Sequence, residues 1–504
     1  MPHLVWAGVA LPDAHTPAQT NFAVVVEGSR ILATGPRTDL AAAYPHATQT
    51  GGAQYLLLPG FTNSHDHGRG LGTFPLGAAD DLLEIWLPGL FSQPAVSPYL
   101  LAAWESVMLL RSGVTLAAHS QNPQSWLGMG DEARELLRGY GDAGVRVAFN
   151  PPLVDQNPLV YTGRSEFLAG LPATLHEAAA RFLAPNPLTH ADYLALCHDL
   201  YTTYHDPVDH TVAIQISPAG GQWCSDALIL AAVDFARSHN TRVQMHMLET
   251  RYQRAYAWRT WGKSFIAHLA DIGALGPWLT LAHMIWIEES DLPLLAESGA
   301  AIAHNPGSNL RLRSGVAPIP AYLSHGIPLG IGMDGQTLDD DQDYLRELRL
   351  ALTLANRPGA HSPSVSAGQI LYAGLAGGAA ATLGADALLG ALRPGALADL
   401  VLVDWEAVCH PWISPLPSTA DVLLRKASRQ HVRHVMVNGD WKLRDGRATD
   451  VDEDALAAAI AEELNRYAPA ELAAQAAAAQ ALAPYLRRFY AAWEPAPSEI
   501  QPFF

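Results

Sequence analysis

His65 and His67 stand two residues apart at the end of an apolar run, and in an extended chain side chains two apart project to the same side. A pair of imidazoles on one side suits a single metal ion, although H-x-H alone is also the mark of a polar loop. His246 and Asp334 come at other apolar runs and can complete a shell of three nitrogens and one oxygen that leaves room for water. Taken singly, His246 between two methionines could be a satisfied core histidine, and Asp334 before Gly335 an ordinary turn former. Burying all of them without a shared partner would cost on the order of several kcal/mol. Glu249 lies just beyond His246, where a carboxyl group can act as general acid and base without ligating. As a first-turn helix residue it would instead complement the helix dipole. His283 could bond the attacking water or a developing oxyanion, or be a buried histidine bonded to backbone.

These residues need a scaffold that brings distant stretches to one mouth. Eight apolar, strand-like runs, at residues 55–61, 114–118, 145–149, 212–216, 242–247, 279–282, 300–303 and 327–331, alternate with amphipathic or Ala/Leu-rich stretches. That pattern predicts an α/β fold, a (β/α)8 TIM-type barrel, with an open parallel sheet as the alternative. In such a barrel chemistry sits at the carboxyl ends of the strands, where His65, His67, His119, His246, His283, His304 and Asp334 fall. Residues 1–58 read as short strands broken by turns, and the texture returns at 389–446, which predicts one small β-sandwich domain built from both chain ends. The division expected is therefore 1–58 and 389–446 for that domain and 59–388 for the barrel. Residues 447–504 are an Ala-rich helical extension, with helices at 453–467 and 471–493 and a Pro-bearing tail.

Composition narrows the partners. The 504 residues carry a net charge of −18 and no cluster of Lys and Arg that could neutralise a run of phosphates, which argues against nucleic acid and anionic membranes. No stretch approaches the ~18 uninterrupted apolar residues of a membrane span. Met1 to Leu11 lacks the basic start and cleavage site of a leader and reads as a strand. Cys197, Cys224 and Cys409 are far apart with no C-x-x-C spacing, which argues against a disulfide framework and a thiolate zinc cluster and suits a reducing, cytoplasmic setting.

The ordered set Pro59-Gly60-Phe61, Asn63-Ser64-His65-Asp66-His67, His246-Met247-Leu248-Glu249, His283, His304-Asn305-Pro306-Gly307-Ser308-Asn309, and Gly332-Met333-Asp334 resembles the amidohydrolase superfamily. It is most similar to the branch of triazine hydrolases, guanine deaminase and S-adenosylhomocysteine deaminases, and the likeness runs from about residue 20 to 445. The resemblance implies that His65, His67, His246 and Asp334 bind one divalent metal, that Glu249 shuttles a proton and that His283 assists the water. The carboxylated lysine of binuclear members has no counterpart, since the first lysine is Lys263. Zn fits the donor set, and Fe or Mn would too.

The activity expected is deamination of an amino-substituted N-heterocycle (purine, pterin, pyrimidine or triazine) by metal-bound hydroxide, with ammonia released. The alternatives are hydrolysis of another C–N bond, dechlorination at the same site, or a non-catalytic scaffold. Trp86 and Trp223 are candidates to stack on a planar ring, and His119, Gln222 and His304 to read its edge, although tryptophan is equally a core residue. A homodimer or larger homo-oligomer is the expected assembly.

Overall fold

The computed structural model describes residues 1–360 and 364–493. The Pro-bearing tail anticipated after residue 493 lies outside the described residues.

Eight short strands follow the predicted order. Strands β1 (Phe61–Asp66), β2 (Val114–Ser120), β3 (Arg146–Asn150) and β4 (Val212–Ile214) form one parallel sheet in that sequence. Strands β5 (Val243–Met247), β6 (Leu279–His283), β7 (Ala301–His304) and β8 (Leu329–Ile331) form a second. All residues of β1, β2 and β3 are buried, the pattern of parallel strands covered on both faces. Beyond β4 the chain continues alongside β5: Gln244 N donates to Ile216 O at 3.1 Å and His246 N to Ala219 O at 3.1 Å. After β8, Met333 N and Asp334 N both donate to His65 O, at 3.1 and 2.9 Å, so the last strand's exit is tied to the first strand.

The first run differs from its sequence reading. Residues 55–59 belong to a strand of another sheet, Thr48–Pro59, and β1 starts only at Phe61. Gly60 is the break, because a Cβ there would come within 2.2 Å of Thr115 Oγ1, an approach only glycine permits. His65 therefore sits within β1, not after it.

Strands from both ends of the chain join in one mixed eight-stranded sheet. Its centre is the antiparallel pairing of Leu400–Asp404 with Thr48–Pro59, and the Gly28 turn, with φ +57°, closes a hairpin of Gln19–Glu27 with Arg30–Pro36. A buried ion pair fastens this sheet to β3: Arg146 Nε and Nη2 donate to the two carboxylate oxygens of Asp399 at 2.9 Å each.

The helices that bear on the site include α1 (Leu83–Leu90), α2 (His176–Phe182) and, after the intervening α3 (Glu453–Leu464), α4 (Pro469–Ala491). In α4, Pro469 occupies the first turn, where its missing N–H costs nothing, and Ala479, Leu482, Leu486 and Tyr490 recur at helical spacing as the buried face. Among the described residues no helix is long and apolar enough to cross a membrane.

Candidate metal centre and pocket

The strand ends bring the predicted donors to one point. Donor atoms of His65, His246, His283 and Asp334 all lie within 4.8 Å of one another. His67 joins them, with Nε2 3.0 Å from Asp334 Oδ1 and 3.2 Å from His246 Nε2. Each ring is fixed through its other nitrogen. Nδ1 of His65 faces Gln244 Oε1 at 2.9 Å, that of His67 faces Ser120 O at 2.7 Å, that of His246 faces Ala219 O at 2.5 Å, and that of His283 faces Asn309 Oδ1 at 2.9 Å. The partners of His65, His67 and His246 are acceptors, so there Nδ1 carries the proton and Nε2 presents a lone pair to the common point, while His283 Nδ1 also lies 3.3 Å from Asn305 Nδ2.

That arrangement fits a cation. Nε2 of His65 and His283 and Oδ1 of Asp334 are buried without a hydrogen-bond partner, a costly state unless the lone pairs share a positive ion. The lone pairs of His67 and His246 likewise face each other. Burial favours the neutral rings a metal needs: it pushes His67 down to about 4, with Arg69 adding to the effect, and holds His246 well below the usual imidazole range. Burial tends to raise the Asp334 carboxyl, but the imidazoles of His65, His67 and His283 gathered around it outweigh burial and hold it well below the usual carboxylate range. Ser308 Oγ donates to Asp334 Oδ2 at 2.5 Å.

Glu249 stands beside this cluster and apart from its donors. Its Oε2 is 3.7 Å from His283 Nε2, and its Oε1 accepts from Ser314 Oγ at 3.2 Å. Burial first, then the negative charges of Asp334 and Glu84, lift its carboxyl well above the ordinary value, so it holds a proton. The backbone under these groups is strained: Leu248, His283, Met284 and Asp334 have φ between +49° and +73°, a region that L residues seldom adopt.

A compartment of about 100 Å3 lies against the donors, lined by Trp86, Trp223, Glu249, His283 and Asp334 among others. It opens toward a larger cavity of about 790 Å3 that shares Trp223 with it and takes in His119. Three of the five predicted substrate-side residues thus come together. Gln222 and His304 are fully buried and line neither space, while Gln222 keeps both amide atoms unpartnered.

Arg69 was not anticipated. It lines both spaces, donates from Nη1 to Asp334 O at 3.2 Å and from Nη2 to Asn122 Oδ1 at 2.8 Å, and lies 5.4 Å from the Trp86 ring centroid. Its place two residues after His67 was the available signal. Gln244, which orients His65, was equally silent as a lone polar residue in an apolar stretch, whereas Asn309, which orients His283, stood in the quoted His304–Asn309 motif with no role read for it.

The profile of the amidohydrolase family matches residues 56–442, and the chain belongs to that family. A profile of the bacterial imidazolonepropionase-like composite domain matches residues 23–47. Among curated relatives, the 5-methylthioadenosine/S-adenosylhomocysteine deaminase of Syntrophobacter fumaroxidans is 28% identical over 438 residues, covering 86% of this chain and 90% of its own. The 5'-deoxyadenosine deaminase of Methanothermobacter thermautotrophicus is 26% identical over 82% of this chain and 88% of its own. Among solved structures, an adenosine deaminase from Xanthomonas campestris with bound zinc superimposes with a TM-score of 0.75 at 25% identity, covering 92% of this chain and 98% of that one. Atrazine chlorohydrolase from Arthrobacter aurescens TC1, complexed with zinc, shares the fold with a TM-score of 0.77 at 22% identity, over 92% and 99% of the two chains.

Proposed function

We propose that this chain is a metal-dependent aminohydrolase that replaces an exocyclic amino group of an N-heterocycle by oxygen and releases ammonia. The observation that carries the reading is the convergence of imidazole nitrogens and one carboxylate on a single point, beside the buried carboxyl group of Glu249. His65, His67, His246 and Asp334 would hold one divalent ion, which supplies Lewis acidity and an activated water. Zinc is supported by the nitrogen and oxygen donors and by the zinc in the Xanthomonas deaminase.

The chain's own groups then divide the proton traffic. Asp334 takes a proton from the attacking water while Glu249 gives one to the ring nitrogen next to the amino-bearing carbon, which makes that carbon more electrophilic. On collapse, the proton on Asp334 goes to the departing amine, and the adduct's hydroxyl proton returns to Glu249. Ammonia leaves and both carboxyl groups are restored. His283 Nε2, 3.7 Å from Glu249 Oε2 and 3.9 Å from Asp334 Oδ2, is placed to bond the attacking water between them. Trp86 and Trp223 would flank the ring.

The same reading closes the eight parallel strands into a (β/α)8 barrel, supported by the hydrogen bonds from Met333 and Asp334 to His65. It assigns residues 1–58 and 389–446 to one small domain of sandwich type. In support, one buried cluster takes Val5, Val24, Leu57, Leu400, Met436 and Trp441 from both ends of the chain. The functional test is ammonia release by zinc-reconstituted protein across purines, pterins, pyrimidines and triazines. Turnover that yields chloride or an alkylamine, and never ammonia, would reject deamination.

A further inference from the structure

The larger cavity is walled in part by a helix outside the family match. Its lining includes His67, Arg69 and His119 together with Gln475 and Ala478 of α4. The family profile ends at residue 442, before α4 begins. The helix is firmly seated. Arg487 Nη2 pairs with Asp81 at 2.6 Å. The buried Tyr490 ring lies 5.5 Å from Tyr161 and 4.9 Å from Tyr252, between ring centroids. Tyr161 Oη donates to Glu84 Oε1 at 2.7 Å, and Glu84, in α1, lines the same cavity. The contacts that seat α4 therefore also set the facing wall.

A bare heterocycle held at the donors would face the space of about 100 Å3 and make no use of the adjoining volume of about 790 Å3. The latter lies within the range of sites that enclose a drug-sized ligand. Filling it with a substituent removes apolar lining such as Leu76, Leu101 and Phe182, which the smaller space lacks, from water, a gain unavailable to the bare ring. We propose that α4 is a wall of the substrate pocket, and that the enzyme takes N-heterocycles whose substituent reaches Gln475 and Ala478 in preference to the unsubstituted ring. This inference rests on the aminohydrolase reading.

The test uses the metal-loaded full chain with adenine, 5'-deoxyadenosine and S-adenosylhomocysteine, which extend one ring by increasing lengths. Ammonia release and ligand-induced thermal shift are both measured. Ala478→Trp and Gln475→Trp add bulk from the side of α4 that is not buried in the core, and each variant's unliganded melting temperature checks that the fold is kept. The expected result is that wild type favours the longest member, and that both variants lower its kcat/KM about tenfold or more while adenine changes less than about twofold. A wild type that prefers adenine, or variants that affect all members alike or none, overturns the proposal. If no member releases ammonia, a thermal shift by S-adenosylhomocysteine that the tryptophan variants abolish supports the wall and rejects deamination of this ring. No shift overturns the wall as well.

Discussion

Glu249 and His246 test different halves of the site. Replacing His246 removes a donor whose ring is locked by Ala219 O, so His246→Ala is expected to emerge from dialysis without metal, read by elemental analysis. Glu249→Gln keeps the shape and cannot shuttle the proton, so metal stays at wild-type stoichiometry while kcat falls by about 10²-fold or more. Normal turnover in the glutamine variant would move the acid/base role elsewhere. At this scale the sequence was informative where chemistry is written in residue types at strand ends: the side chains of His65, His67, His246, Asp334 and Glu249 lie close together. It was silent where role depends on spatial company. Arg69 reads as one more arginine until its proximity to Asp334 is known, and His304, a strand-end histidine like the others, turns out to line neither cavity.

At the scale of elements, the strand β3 and the terminal sheet are joined by Arg146 and Asp399, side chains 0% and 1% exposed. Arg146 Nη2 also donates to Asn438 Oδ1 at 2.9 Å, so the guanidinium is held on several sides. Removing one member of such a pair strands the other charge, and Asp399→Ala is expected to cost about 3–5 kcal/mol in chemical denaturation. A loss under about 1 kcal/mol would mean that the sheet is held to the strands by apolar packing alone. Apolar runs located seven of the eight strands of the two four-stranded parallel sheets and met the first only at Phe61. They could not separate the two strands that meet at Gly60, because both are apolar and the break is set by the approach of Thr115, a residue far along the chain.

For the whole molecule, acid should be destabilising in a defined window. His119 and His304 are buried, and burial lowers each to about 3; nearby His67 adds to the shift of His119 and His283 to that of His304. The folded chain therefore keeps both neutral where the unfolded chain takes up protons. Their contribution is full above the ordinary imidazole value near 6.5 and is lost as pH falls from there toward 3, at about 1.4 kcal/mol per pH unit for each group. His119→Gln is expected to flatten the fall of melting temperature between pH 6.5 and 5, and an unchanged slope would remove His119 from the account. Metal acts in the opposite sense. Free zinc at a thousand times its dissociation constant should add about 4 kcal/mol, lost on chelation. A melting temperature indifferent to chelator would argue that the donors converge without binding an ion.

The most direct measurement is anomalous diffraction at the zinc edge from crystals of zinc-reconstituted protein. The account predicts one peak per chain, bonded by the Nε2 atoms of His65, His67 and His246 and by the Asp334 carboxylate, with Glu249 outside bonding distance. Crystals with no peak among these four side chains, or with zinc bound by other residues, would contradict it.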